Sequence, residues 1–223
     1  NRRLAFSRLR DAKVVENVMF FHKNVLFAAV SVPGGNNTGK WAAPFTNEPA
    51  RVRETATRQL ANLRWLDIAF DAAERSNSKA VVISQQADMW HMADFAESPE
   101  LISAYSTYVH QLAARATRFG KPVLIINGDR HLYSVDTPLA DPSNAFGQVY
   151  NTDPVPNLTR LGLQASFNPA SWTRVVVDTA RSGNAMFSFE NVVFCEDKSR
   201  PRSTYNAMLP KDDGAVDIGS CSP

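Results

Sequence analysis

At 223 residues, with 44% apolar and 21% charged side chains, the chain is long and apolar enough for one large domain that needs no covalent staple. Its 24 basic and 22 acidic residues nearly cancel, so charge gives no sign of a nucleic-acid or membrane-surface partner. No stretch approaches the roughly 20 consecutive apolar residues needed to cross a bilayer.

Residues Val25 to Val32 read VLFAAVSV, a buried strand that breaks into the turn-forming run Pro33-Gly34-Gly35-Asn36-Asn37. Asn47-Glu48-Pro49 is a helix start, with proline tolerated in the first turn. Behind it Val52, Ala56, Leu60, Leu63, Leu66, Phe70 and Ala73 recur at steps of three or four, which predicts one apolar stripe on a long helix. A second buried strand, Lys79 to Ser84, ends in Gln85-Gln86-Ala87-Asp88. Ser98-Pro99-Glu100 caps a second helix whose stripe is Leu101, Tyr105, Tyr108 and Leu112, with Arg115 and Arg118 in its last turn and Gly120 and Pro122 stopping it.

A third buried strand, Pro122 to Ile126, delivers Asn127-Gly128-Asp129-Arg130-His131 at its end, and Leu132 to Val135 resume an extended run. Strand, helix, strand, helix, strand is the order of a layered α/β fold, in which the loops leaving the C-terminal strand ends build the site. Thr137 to Pro169, rich in Pro, Asn, Asp and Gly, predicts a long surface excursion. Trp172 to Asp178 and Ala185 to Phe194, joined at Ser182-Gly183-Asn184, predict an antiparallel closing hairpin.

Three strand ends thus carry polar clusters: Asn36 and Asn37, Gln86 and Asp88, and Asp129 and His131. Asp129 and His131 are the strongest pair, because a carboxylate and an imidazole two positions apart in an extended loop can face the same way and hold one metal ion or one water. Plain turn chemistry is the competing account of both, and of the Gly-Gly-Asn-Asn run. His22, His91 and His110 sit in structural contexts. There is no Gly-x-Ser-x-Gly elbow, Walker loop or zinc-type cysteine pairing. Cys195 and Cys221 permit one disulfide, which would pin a tail of residues 195–223 to a domain of residues 1–194 in a periplasmic or secreted setting. The chain starts at Asn1 rather than methionine, as expected of a processed chain or a piece of a longer one.

The segments VLFAAVSVPGGNN, VVISQQADMW and VLIINGDRHLYSVDTPL, with Glu16-Asn17-Val18 and Leu63-Arg64-Trp65-Leu66, resemble the calcineurin-like metallophosphoesterases over roughly residues 15–136. The last segment is similar to that family's closing metal motif, Gly-His-x-His, with Asp129 at the first histidine position and His131 at the second. The resemblance implies a layered α-β-β-α sandwich, here its C-terminal half. It also implies a two-metal phosphoester hydrolase with divalent ions on Asp129 and His131, and substrate beside Asn36, Asn37 and Gln86. Neither the family's Gly-Asp-x-x-Asp nor its Gly-Asn-His is present, and Gln86 stands near the place of a lone histidine. The missing ligands are therefore expected upstream, on an N-terminal fragment or a partner chain. The alternative is a non-catalytic relative that acts as a binding or interaction module.

Overall fold

A computed structural model describes residues 14–39, 47–90, 100–164, 171–193 and 216–217. Cys195, Cys221, His91 and the cap at Ser98-Pro99 lie outside the described residues. Six strands form one mixed sheet: β1 (Val18–His22), β2 (Val25–Ala29), β3 (Ala80–Gln85), β4 (Val123–Asn127), β5 (Ser134–Asp136) and β6 (Leu158–Gly162), in the order β1-β2-β3-β4-β6-β5. The four central strands β2, β3, β4 and β6 run parallel, and β1 and β5 close the edges antiparallel.

Alternate side chains sort to the two faces, as the pleat requires. Leu26, Val81, Ile83, Val123, Ile125 and Leu158 join a core with helices α1 (Glu48–Arg75), α2 (Ser106–Phe119) and α3 (Ala145–Tyr150). Val25, Ala80, Val82, Leu124 and Leu161 face the other way, onto Phe187 and Met186 beside a second sheet. That sheet comprises β7 (Ser171–Val177) and β8 (Phe187–Val193), paired antiparallel, and a short parallel β9 (Val216–Asp217). The described residues therefore give three layers, helix, sheet and sheet. Among them no helix is long and apolar enough to cross a membrane.

Several expectations shift in physically instructive ways. The α1 stripe runs as its spacing predicts at Leu66, Phe70 and Ala73, but Val52 and Leu60 are exposed, and the full buried face is Arg58, Ala61, Asn62, Trp65, Leu66, Ala69, Phe70 and Ala73. The first half of α1 lies against a polar turn, so its inward residues are hydrogen-bonding ones. VMFFH at residues 18–22 is a strand beyond those the sequence predicts; it pairs with β2 across the two-residue turn Lys23-Asn24, both at positive φ as a tight hairpin demands. The second helix is split, with one turn at Glu100–Ser103 and α2 beginning at Ser106; it ends at Gly120, whose φ of 64° is the left-handed cap that glycine takes without strain. Arg115 is drawn into ion pairing with Asp71 of α1, and the guanidinium holds that carboxyl below its usual range.

The surface excursion expected at residues 137–169 holds a core element instead. Leu158–Gly162 is a fully buried strand inserted beside β4, preceded by α3. Its sequence LTRLG hides the strand because a charged residue interrupts a short apolar run, and the charge is tolerated only through partners supplied elsewhere in the chain.

Candidate functional site

The C-terminal ends of β2, β3 and β4 lie side by side, so the turns that follow them are neighbours. Gln86 joins all three: its Oε1 accepts from the backbone N–H of Gly34, and its Nε2 donates to Asp129 Oδ1 at 3.0 Å. Asp129 Oδ2 accepts from the N–H of Asp88 at 3.3 Å. Gly34 approaches so closely that a β-carbon there would run into the Asp129 carboxylate, which is why this position has no side chain. Asp129 and His131 both take left-handed backbone, with φ of 71° and 60°, and both are half-buried. Left-handed conformation at an imidazole-bearing residue is uncommon, and such conformations gather at functional turns.

The Gly34–Thr38 turn is the least expected feature. Gly35, Asn36, Asn37 and Thr38 have φ of 61°, 53°, 55° and 61°, four consecutive residues wound left-handed and closed by Gly39 N–H donating to Gly35 O at 2.9 Å. L-residues pay roughly 1–2 kcal/mol each for this winding, asparagine least and a β-branched threonine most. The turn persists because it is tied from three sides. The Tyr105 hydroxyl accepts from Asn37 N–H at 2.8 Å and donates to Pro33 O at 3.0 Å. Buried Arg58 donates to Asn37 Oδ1 at 2.5 Å and Thr38 Oγ1 at 2.7 Å, and Glu54 supplies its counter-charge. Upstream, Asn17 bonds both Asn62 Oδ1 and Ser31 N–H, and Asn62 returns a bond to Ser31 O, which fixes the chain as it enters the turn.

Of the residues expected to form the site, Gln86 and Asp129 are bonded to each other, and Asn36 and Asn37 belong to the turn that Gln86 holds at Gly34. The Asn37 side chain is buried and directed to Arg58, beneath the turn. His131 stands two residues beyond Asp129. Sequence reasoning missed Arg58, Tyr105 and Arg160. Arg160 carried no local signal, because its charge hides the strand it sits in; Tyr105 was assigned only to a helix stripe.

Tyr105 reports the electrostatics of this region. Burial pushes its hydroxyl up to about 12 against the Asn37 N–H bond, which favours ionisation, and the carboxylates of Asp129 and Asp88 add to the rise. An unfolded tyrosine ionises near 10, so the fold holds this proton more tightly. Its contribution to stability is whole below about pH 10 and is lost as pH climbs from there to about 12. Tyr105→Phe is expected to cost about 2 kcal/mol, because Asn37 N–H and Pro33 O lose their common partner. It should also flatten the alkaline limb of stability. Urea unfolding between pH 7 and 12 checks both, and an unchanged midpoint at pH 7 would count against the role given to the hydroxyl.

Among the described residues no group of three or more His, Cys, Asp or Glu side chains is placed to hold a metal ion. Asp129 and His131 supply at most two donors, where a two-metal hydrolytic centre takes several carboxylates and imidazoles. These residues do not by themselves fit such a centre. What the arrangement offers is an anionic group fixed by neutral donors at the mouth of three adjoining turns. Compared with protein-family models, with curated proteins and with solved structures, the chain matches none of them.

Proposed function

We propose that this chain is one wall of a phosphoester-hydrolysing centre of the layered α-β-β-α type. In it Asp129 and His131 face divalent metal, Asn36 and Gln86 line the substrate, and Asn37 supports the turn from beneath. The remaining metal ligands come from polypeptide outside this chain, an N-terminal fragment or a partner. The observation that carries this reading is the Asp129 carboxylate. It sits where three parallel-strand turns meet, and both its oxygens are oriented by neutral donors, Gln86 Nε2 and Asp88 N–H, that leave its charge in place. A divalent ion requires such a charge, and such turns are where α/β folds assemble sites from distant sequence. The chain's own residues orient the carboxylate and shape the turns; bond cleavage awaits the missing ligands.

A second reading, a non-catalytic binding module on the same fold, is favoured by the absence of a three-ligand group among the described residues. Elemental analysis and turnover of a generic aryl phosphate by the protein in its native assembly separate the two. The hydrolase reading expects stoichiometric divalent metal, and it expects His131→Ala to reduce both metal content and turnover by about tenfold or more. Metal-free protein without turnover would leave the binding module standing, and turnover indifferent to His131→Ala would refute the role given to that residue.

A further inference from the structure

The pole of the sheet opposite these turns, where the parallel strands begin, carries a cavity of about 460 Å³. That lies within the roughly 300–1,000 Å³ of ligand pockets. Lys79, just before β3, Lys121, just before β4, and Arg181, in the β7–β8 connection, all line it, and none of the described lining residues is acidic. The lysines are anchored on neutral oxygens. Lys79 Nζ donates to Thr179 O at 2.9 Å, and Lys121 Nζ to Asn77 Oδ1 at 2.8 Å and Ser78 O at 2.9 Å. An ammonium has three N–H groups, so Lys79 keeps two and Lys121 one beyond these anchors.

The ordinary duty of such cations is to face the C-terminal ends of helices, and both α1 and α2 end here, as Asn77 and Gly120 in the lining attest. Magnitudes decide the matter. Each helix end presents roughly half a negative charge. Asp178, 3.4 Å from Arg181, supplies one more at an exposed pair. Together they balance about two of the three cations, which leaves an excess of about one positive charge around a concave, ligand-sized space.

We propose that this cavity binds a small oxyanion of the phosphate type, held by Lys79, Lys121 and Arg181. The site is separate from the turns around Asp129 and does not rest on the hydrolase reading. Because Lys79 and Lys121 precede strands of the first sheet and Arg181 lies in the connection between two strands of the second, the anion joins the two sheets at this pole.

Titration of the full chain with inorganic phosphate, followed by amide NMR, tests it. Saturable shifts are expected at Lys121, Ser182 and Gly183, unchanged in an Asp129→Asn, His131→Ala protein and weakened by added sodium chloride. Arg181→Gln and Lys79→Gln should each weaken binding by about tenfold or more, the worth of one charge-assisted hydrogen bond. Arg181 is exposed and its ion pair with Asp178 is local, so its variant keeps the test valid if the lysine variant fails to fold. Failure to saturate, shifts confined to the surroundings of Asp129 and His131, or binding indifferent to both substitutions would each overturn the proposal.

Discussion

Arg160→Met is expected to destabilise the protein by about 3 kcal/mol, because it removes a guanidinium from a buried carboxylate. Arg160 lies in β6 directly opposite Asp136 of β5, and its Nε and Nη2 grip that carboxylate as a fork. Its Nη1 reaches Asp88 Oδ1 at 3.3 Å, and its guanidinium lies over the Phe146 ring, 5.8 Å from the centroid. The Asp88 side chain is only 9% exposed, so it has little water to replace the lost partner, whereas Asp136 at 39% has. Methionine fills much of the vacated volume, so the cost is chiefly electrostatic. Adding Asp88→Asn to Arg160→Met should recover part of the loss, since it removes the charge that the guanidinium neutralised while an amide oxygen can still accept from Trp90 N–H, now 3.0 Å from Asp88 Oδ1. Urea unfolding of the wild type, both single variants and the double variant measures the coupling. A single variant within about 1 kcal/mol of wild type would refute the argument.

Trp90→Ala is expected to cost about 4 kcal/mol, in the middle of the range for a buried aromatic. Trp90 is 1% exposed and meets the rings of Phe146 and Tyr150 edge-on, with centroids 5.9 and 5.5 Å away. The Tyr150 hydroxyl donates to Met89 O at 2.6 Å, so α3 clamps the segment that leaves β3 by rings and by backbone. This segment also supplies Asp88 N–H to Asp129, so the damage should extend to the candidate site. Hydrogen exchange ought to show faster opening of residues 87–90, together with lost unfolding free energy. Trp90→Phe, which keeps an aromatic edge, should lose less than half as much; equal losses would mean that ring packing is not what holds the segment.

How much of this was legible in the sequence depended on whether the physical cause was local. β2, β3 and β4 could be read because β-branched runs that end in turn residues report burial on both faces, whatever surrounds them. The meeting of Gln86 with Asp129 followed from the same logic, since parallel strands in sequence bring their C-terminal turns together. β6 was not legible. An arginine in a pentapeptide argues against a central strand until Asp88 and Asp136, 72 and 24 residues away, are known to flank it. The inward face of early α1 failed for the same reason: Arg58 and Asn62 are buried by partners at Asn37 and Asn17 that no periodicity encodes. The left-handed winding of residues 35–38 had a faint local sign in Gly-Asn-Asn, but its threonine pointed the other way.

That winding bears on the order in which the molecule assembles. A free chain rarely visits it, and the groups that hold it come from Arg58 and, 68 positions beyond Asn37, from Tyr105. It should therefore set late, after the helices have docked, so weakening it hastens unfolding while folding keeps its pace. Stopped-flow traces of Tyr105→Phe should show faster unfolding with the folding arm unchanged, placing the mouth of the candidate site among the last pieces to close and the first to open.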